Sequence, residues 1–156
     1  MKQWLSRLWG RLHARMFPRV TTVVFSKQAQ QQMQALARAT HPKEAFGVLV
    51  GSTKEEILEV EDVVYQPFAN TTHSAHVAID RYAIPNMVGT FHSHPTADDR
   101  PSTADKRVFA QYPGVHCISG APYTTSAVYT HHSQYIRHES LGNTPFTSYR
   151  VRGQRR

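Results

Sequence analysis

The amino-acid sequence predicts a mixed, strand-rich α/β domain, and three features lead to this prediction. Short β-branched or apolar runs recur along the chain, among them VTTVVF, FGVLVGS and MVGTFH. Two stretches between these runs combine a serine cap with helical spacing of apolar residues. The length of 156 residues suits one domain with a single core.

The first predicted element is a basic amphipathic helix at residues 1 to 17, MKQWLSRLWGRLHARMF, which Pro18 ends. Arginines border its apolar stripe, which consists of Trp4, Leu5, Leu8, Trp9, Leu12 and Met16. One interpretation packs this helix on the domain or on a second copy of the chain, as in a homodimer. The other lays it in an anionic membrane interface, with its arginines snorkelling towards the headgroups.

Residues 20 to 25 predict the first strand, and Ser26 is placed to cap a helix over residues 27 to 39. His41 and Pro42 end this helix, and its predicted buried positions are Met33, Leu36 and Ala37. Another helix is predicted in STADKRVFAQY, starting at Ser102. Further strands are predicted at residues 46 to 52, 57 to 66 (as one strand or two), 76 to 80, 87 to 92, 115 to 119, 125 to 130 and 135 to 139.

The net charge of +7 is carried by the two ends of the chain. The first 43 residues contain eight Lys or Arg and no acidic residue, and the last seven contain four Arg. We therefore divide the chain into a basic N-terminal helix (1 to 18), a domain (19 to 145) and a basic C-terminal tail (146 to 156), of which the last seven residues, RVRGQRR, are expected to be loose. Because nucleic-acid-binding modules usually carry their basic face on the folded domain, nucleic acid is not expected as a partner.

The single cysteine, Cys117, excludes an internal disulfide and a zinc site built on cysteine pairs. It also excludes a zinc deaminase, which needs Pro-Cys-x-x-Cys. Since Cys117 lies inside a predicted strand, we expect it to be a buried small hydrophobe. No apolar run has the length of a membrane-spanning helix, so we expect a cytoplasmic protein, peripheral to a membrane if residues 1 to 17 bind one.

The stretch HSHPTADDRPSTAD, residues 92 to 105, contains the densest metal-binding chemistry of the sequence. On an extended strand, the side chains of His92 and His94 leave the same face and can converge on one metal ion. Imidazole suits zinc, and a catalytic zinc takes three protein ligands, for which Asp105 is the third candidate. The alternatives are that the histidines are solvated strand-end residues and that Ser102 and Asp105 form only a helix-capping box.

This stretch resembles the JAMM motif of the MPN-plus zinc metalloproteases. The family motif also needs an upstream glutamate, and HPKEAFGVLVG supplies it as Glu44. The resemblance covers roughly residues 20 to 140 and includes an Asn-bearing loop before a short strand that ends in Ile-Asp, here Asn70 and Ile79-Asp80. It implies an MPN-like curved sheet flanked by helices, with the N-terminal helix as an addition.

The resemblance also implies a mechanism and a set of site residues. His92, His94 and Asp105 would hold one zinc ion per chain. Glu44 would act as general base on water and then as general acid towards the leaving amine. Ser102 would donate a hydrogen bond to the developing oxyanion. On its own, Glu44 is equally consistent with a salt-bridged surface residue.

The short chain is most similar to compact prokaryotic members of the family, archaeal or bacterial. This likeness implies a zinc (iso)peptidase that cleaves after the C-terminal Gly-Gly of a ubiquitin-like modifier. An alternative is release of an amino acid, such as cysteine, from the tail of a sulfur-carrier protein. An alternative of another class is a non-catalytic adaptor that works through its basic ends.

Several polar residues near the motif are interpreted as surface residues without chemistry. Asp98 and Asp99, between the metal-ligand candidates, are expected to be solvated turn residues. The other histidine pairs lack a third ligand at a suitable spacing; they are His73 with His76 and His131 with His132.

Overall fold

The computed structural model describes residues 20–66, 84–112, 114–138 and 147–150, and its strands form one sheet that closes into a barrel. The strands are β1 (Thr22–Phe25), β2 (Phe46–Lys54), β3 (Ile57–Tyr65), β4 (Met87–His94), β5 (Val115–Gly120), β6 (Ala127–Thr130), β7 (Tyr135–His138) and β8 (Thr147–Arg150). The helices are α1 (Lys27–Thr40) and α2 (Thr103–Gln111). The barrel order is β1-β3-β2-β4-β5-β6-β7-β8, and β8 pairs with β1.

Two pairs of neighbouring strands are parallel, and a helix follows the first strand of each pair. β1 runs parallel to β3, with α1 directly after β1, and β4 runs parallel to β5, with α2 between them. A parallel connection must cross over the sheet, because a tight turn would reverse the chain. The crossover through α2 brings the start of that helix to the C-terminal end of β4, where the motif histidines lie.

The main core lies between α1 and the barrel strands. Large side chains that are at most 1% exposed fill it, including Phe25, Leu49, Leu58 and Phe91. Helix α1 buries three residues there, Ala29, Met33 and Ala37, spaced by four as one helical face requires. A smaller cluster of Phe109, Ile118, Ala127 and Tyr129 packs under α2.

The structure confirms most of the predicted elements. The first helix begins after Ser26, whose Oγ accepts a hydrogen bond from the Ala29 N–H at 3.0 Å. Met33 and Ala37 are buried as expected, and Leu36 is partly buried against the core. The segment predicted as one or two strands between residues 57 and 66 is the single strand β3. Among the described residues, no helix has the length and apolar character needed to cross a membrane.

Two predictions about strands were wrong. The strand predicted to end on His92 continues to His94, because its pairing with β5 extends to the pair His94 and Gly120. No strand was predicted in the basic C-terminal tail, but β8 (Thr147–Arg150) lies there; it forms because it pairs with both β1 and β7, and β1 is far away in sequence. The predicted helix at residues 1 to 17, the predicted strand at 76 to 80 and the motif-like residues Asn70, Ile79 and Asp80 lie outside the described residues.

Candidate metal centre

A cleft of about 960 Å³ opens where β4 ends and α2 begins. All five residues singled out from the sequence line it: Glu44, His92, His94, Ser102 and Asp105. The cleft therefore brings together side chains from three elements, namely the approach to β2, the end of β4 and the start of α2. Aromatic and apolar side chains form much of the remaining wall, among them Phe46, Val108, Tyr129 and Tyr135.

His92, His94 and Asp105 form a compact cluster in this cleft. His92 Nε2 lies 3.1 Å from Asp105 Oδ1, and His94 Nε2 lies 3.5 Å from Asp105 Oδ2. One ligand atom of each residue lies within 4.8 Å of the other two. Within the described parts of the chain, this is the one group of three or more His, Cys, Asp or Glu side chains that could hold a metal ion.

Strand β4 explains why the two imidazoles converge. Since both histidines lie inside the strand, they share one face, and the intervening Ser93 points to the opposite side. The two rings are 5.1 Å apart between centroids. The predicted same-face arrangement is therefore present, and it holds even though β4 is longer than predicted.

The electrostatics of the cluster favour a positive charge between the imidazoles and the carboxylate. A hydrogen bond to Asp105 raises the pKa of His94 to about 9, against the opposing effect of burial. Burial also opposes ionisation of Asp105, but both histidines and Ser102 outweigh it and hold the pKa of that carboxyl well below its usual range. A divalent cation bound between these groups would supply the positive charge that stabilises the Asp105 carboxylate.

His92 gives a direct test of whether these residues fit a metal. Its ring is 4% exposed, and its Nε2 atom is buried without a hydrogen bond. Asp105 Oδ1 lies within ion-pair distance of Nε2, at 3.1 Å, but is not a hydrogen-bond partner of this atom in the structure. A buried polar atom without a hydrogen bond is rare in proteins, and a metal ion would satisfy it. Two imidazole nitrogens and one carboxylate oxygen are a donor set typical of catalytic zinc.

The loop after β4 supplies an acceptor for His94 that the sequence did not reveal. His94 Nδ1 lies 2.7 Å from the backbone oxygen of Asp98. A carbonyl only accepts, so Nδ1 carries the hydrogen and Nε2 faces the metal-ligand cluster. The Asp98 carboxylate in turn accepts from the Nε and Nη2 atoms of Arg100, at 2.8 and 2.9 Å.

The interpretation of Asp98 and Asp99 as turn residues holds for their side chains, since that of Asp98 is exposed and neither residue belongs to the ligand cluster; the contacts made by their backbone oxygens were not predicted. The side chain of Asp98 is partly solvated, but its backbone oxygen orients a ligand candidate. The backbone oxygen of Asp99 accepts a hydrogen bond from the Tyr129 hydroxyl at 3.0 Å. Backbone carbonyls carry these contacts, and residue types do not reveal the direction of a carbonyl in a loop.

Close packing holds the same loop against the end of β5. The Ala121 N–H donates to the backbone oxygens of Thr96 at 2.8 Å and His94 at 3.2 Å. A Cβ atom added at Gly120 would lie 2.9 Å from the backbone of Thr96 and Ala97. Glycine at this position thus allows the loop to approach β5 closely.

Ser102 and Asp105 form a capping box at the start of α2. Ser102 Oγ accepts from the Asp105 N–H at 3.2 Å, and Asp105 Oδ2 accepts from the Ser102 N–H at 2.6 Å. Capping and metal binding were alternatives for Asp105 at the level of sequence. In the structure one carboxylate has the geometry for both, since Oδ1 faces His92 while Oδ2 is shared by Ser102 and His94.

Glu44 is exposed in the cleft, and pairing between β2 and β4 explains its position. Phe46 pairs with His92, so the register extended by two residues places Glu44 alongside His94. Ser93 secures this extension: its N–H donates to the Ala45 oxygen at 3.0 Å, and its Oγ accepts from the Ala45 N–H at 2.9 Å.

Ser93 is a functional candidate that we missed in the sequence. Both it and Ala45 are fully buried, so their reciprocal hydrogen bonds connect the backbone beside Glu44 to the strand of the ligand histidines. The available signal was its position: a hydroxyl between two same-face residues of an apolar strand must point into the core and find a partner there.

The other predicted residues that the structure describes do not belong to the cluster. His131 and His132 are in the turn between β6 and β7, with ring centroids 3.8 Å apart, and no third ligand candidate joins them among the described residues. His73 and His76 lie outside the described residues. Cys117 is fully buried, as predicted, and burial raises the pKa of its thiol.

Comparison with known families identifies the chain. The model of a family described as prokaryotic homologues of the JAB domain matches residues 26–134, more than half of the sequence. The chain belongs to this prokaryotic JAB-domain family. The resemblance stated from the motif residues is thereby confirmed, and the match contains all five predicted site residues.

Individual relatives agree with this assignment. A protein from Haloferax volcanii named "probable metalloprotease" is 33% identical over 96 residues, which cover 54% of this chain and 56% of the relative. The JAB-domain chain thus spans little more than half the length of that protein.

Solved structures confirm the fold class. A JAB1/MPN domain protein from Archaeoglobus fulgidus is 23% identical with a TM-score of 0.56, over 72% of this chain and 93% of that one. A structure described as a JAMM metalloprotease-like zinc site in the proteasome and signalosome is 21% identical with a TM-score of 0.53, over 72% and 91% of the two chains. The mixed, strand-rich MPN-like architecture predicted from the sequence is therefore correct.

Proposed function

We propose that this JAB-domain protein is a zinc-dependent peptidase of the JAMM type that hydrolyses an amide bond. The observation that carries the proposal is the convergence of His92, His94 and Asp105 within 4.8 Å, in a cleft shared with Glu44 and Ser102. Family membership and the name of the Haloferax volcanii relative support it. So does the likeness to the structure described as having a JAMM metalloprotease-like zinc site.

The three ligand candidates would hold zinc through two imidazole nitrogens and one carboxylate oxygen. When bound in such a site, zinc supplies polarisation of a carbonyl oxygen and lowers the pKa of a water molecule towards neutrality. The Asp98 carbonyl keeps the ring of His94 oriented, and the capping box does the same for Asp105. Orienting contacts of this kind usually matter nearly as much as the ligands themselves.

Glu44 is the group that would move the proton. Its carboxylate is exposed in the cleft alongside His94, where it can take a proton from water and return it to the leaving amine. The bond between the carbonyl carbon and the amine nitrogen breaks, and the water oxygen becomes part of the new carboxylate. The hydrogen bonds between Ser93 and Ala45 hold the backbone that carries Glu44.

Ser102 would stabilise the negative charge that develops on the carbonyl oxygen. Its Oγ accepts a hydrogen bond from the Asp105 N–H, so its own hydrogen stays available to donate. Loss of one such donor typically raises the barrier by about 3 to 4 kcal/mol.

We propose the tail of a ubiquitin-like modifier as the substrate, cut after its C-terminal Gly-Gly. Glycine has no side chain, so the backbone of such a tail can enter a narrow cleft and bring the carbonyl of its last glycine close to a recessed metal. The second candidate is a sulfur-carrier protein from which one amino acid is released, and the same catalytic groups would serve it.

The deciding experiment offers both substrates to the purified protein. One is a ubiquitin-like protein conjugated to lysine, and the other is a sulfur-carrier protein extended by one C-terminal residue. Mass spectrometry of the products, with and without a chelator, identifies the bond that is cut. Chelator-sensitive cleavage that Glu44→Gln abolishes supports the proposal, and the preferred substrate ranks the two candidates.

The same experiment separates the enzyme from a non-catalytic adaptor. An enzyme of this type contains about one zinc per chain. An adaptor that works through its basic ends needs none. Absence of zinc together with absence of cleavage would overturn the proposal in favour of the adaptor.

For the basic segment of residues 1 to 17 we propose an anionic membrane surface as partner, from its sequence alone. Each Lys or Arg near such a surface contributes about 1 kcal/mol, and salt weakens the attraction. Deleting residues 1 to 18 should leave zinc content intact and reduce co-sedimentation with anionic vesicles, most clearly at low salt. Unchanged sedimentation would exclude the membrane, and a zinc-free or insoluble truncation would instead assign the segment to the folded domain.

A further inference from the structure

His116 is a fully buried histidine outside the candidate metal centre. It lies on β5, directly beside Thr90 of β4, and both side chains are 0% exposed. His116 Nδ1 is 2.7 Å from Thr90 Oγ1, and Nε2 is 3.2 Å from the backbone oxygen of Tyr112. Both ring nitrogens therefore have partners, as a fully buried imidazole requires.

The two partners determine the tautomer of His116. The Tyr112 oxygen can only accept, so Nε2 carries the hydrogen and Nδ1 accepts from the Thr90 hydroxyl. Burial lowers the pKa of His116 to about 3, so the ring is neutral near pH 7. A neutral ring that donates on one side and accepts on the other forms a directional link between its two neighbours.

The link joins the two elements that carry the metal-ligand candidates. Thr90 lies two residues before His92 on β4, and Tyr112 is the C-terminal cap of α2, the helix that begins with Ser102 and Asp105. The last carbonyls of a helix have no partner within it, so the hydrogen bond from His116 anchors that end of α2. The capping box holds the other end.

The ring of His116 also supports the one fully buried residue of α2, Phe109. Phe109 is stacked on His116 with centroids 4.3 Å apart and an angle of 12° between the planes. The centroid of the Phe109 ring is also 6.1 Å from that of His92. Phe109 lies four residues after Asp105 and thus on the same face of the helix. The packing of the Phe109 ring therefore influences where the Asp105 carboxylate lies.

We infer that His116 is a positioning residue of the metal centre, which holds the helix bearing Asp105 at the correct distance from the strand bearing His92 and His94. The inference rests on the proposed metal-binding function. Helix α1 has three buried residues to hold it, whereas α2 has only Phe109. Besides the capping box, the position of the helix that carries the third ligand candidate therefore depends strongly on the contacts of the Phe109 ring.

The test measures metal affinity and stability separately. Cobalt(II) or zinc is titrated into the chelator-treated full chain in competition with a chromophoric chelator, and the cobalt absorption bands report ligand geometry. His116→Phe keeps a ring of similar size for stacking but removes both hydrogen bonds. We expect it to weaken metal affinity by about 10- to 100-fold, as loss of orienting contacts does, and to change the cobalt spectrum.

The matched control is Val128→Ala on β6, which shortens a fully buried core side chain. Val128 is neither a hydrogen-bond partner nor a stacking partner of His116. Val128→Ala should lower the melting temperature of the metal-free protein and leave metal affinity and the cobalt spectrum unchanged. If His116→Phe also binds cobalt with wild-type affinity and spectrum, His116 is a core residue only, and the inference is overturned.

Thr90 gives a second pair of variants should His116→Phe fail to fold. Thr90→Val keeps the shape and removes the hydroxyl, while Thr90→Ser keeps the hydroxyl. We expect Thr90→Val to weaken metal binding and Thr90→Ser to restore it; equal affinities in both variants would contradict the link. A wild-type chain that binds no metal would refute the proposed function itself, whereas retained affinity in the variants would refute only the role of His116.

Discussion

Helices α1 and α2 begin in the same way and serve different ends. Each follows a strand that has a parallel neighbour, and each starts with a serine whose Oγ accepts a hydrogen bond from the third residue of the helix. In α1 the third residue is Ala29, which is buried in the main core. In α2 it is Asp105, whose carboxylate faces two histidines in an open cleft.

The hydroxyl of the capping serine is also used differently. Ser26 Oγ accepts from Ala29 and donates to the backbone oxygen of Glu61 at 2.8 Å, so its hydrogen-bonding capacity serves the fold. Ser102 Oγ accepts from Asp105 and is exposed in the cleft. The comparison teaches that the same local capping pattern can serve the fold alone or form part of a candidate reactive site. The outcome depends on whether the helix begins against the core or in an open cleft.

The largest expected effect is the loss of zinc binding when the third residue of α2 is made the same as the third residue of α1. Asp105→Ala makes the third residue of α2 an alanine, as in α1, and should abolish tight zinc binding because only two ligands remain. Zinc per chain and affinity under chelator competition measure this. Ala29→Ser is the matched change in α1 and should leave zinc binding unchanged; stoichiometric zinc of unaltered affinity in Asp105→Ala would disprove the assigned third ligand.

A smaller effect is expected at Glu44, which lines the same cleft as the start of α2 but belongs to neither cap. Glu44→Gln keeps size and hydrogen bonding but removes the base, so zinc content should persist while turnover falls by about 10²-fold or more. Steady-state cleavage by protein of measured zinc content tests this. Glu59→Gln, on β3 and outside the cleft, is the control; wild-type turnover in Glu44→Gln would exclude Glu44 as the proton carrier.

The smallest expected effects are the changes in the free energy of unfolding when either capping serine is removed, and they allow the two caps to be compared directly. Ser26→Ala should destabilise the fold by about 1 kcal/mol, with zinc content and turnover per folded molecule unchanged. Ser102→Ala should cost a similar amount of stability and in addition slow turnover by about 10²-fold, if its hydroxyl serves the oxyanion. Unfolding curves and turnover of the two variants decide this; equal turnover would reduce Ser102 to a cap.

Local patterns of the sequence were sufficient to predict much of the fold and the ligand cluster. Ser26 and Ser102 signal helix starts because a cap needs only residues within one turn. His92 and His94 share a face because the side-chain period of a strand is two, whatever its exact end. Glu44 was identified by resemblance alone, since a separation of 48 residues carries no local signal.

Contacts between distant segments account for what was missed. Strand β8 forms because it pairs with β1 on one side and β7 on the other, whereas its own four residues, TSYR, are too few to predict a strand. Ser93 and His116 matter through partners that lie 48 and 26 residues away. The Asp98 carbonyl orients His94 because close packing against Gly120 shapes its loop.

The sequence by itself determined which chemical groups this protein has and on which faces of their own elements they lie. The reason is that helix and strand periodicity and capping act over a few residues. Only the tertiary structure decided how far apart those elements lie, because side chains at the barrel centre and hydrogen bonds between distant strands set that spacing. The candidate site of His92, His94 and Asp105 depends on the local sequence and on the tertiary structure. Its candidate ligands are close in sequence, but the distances between them are set by how β4, β5 and α2 pack together.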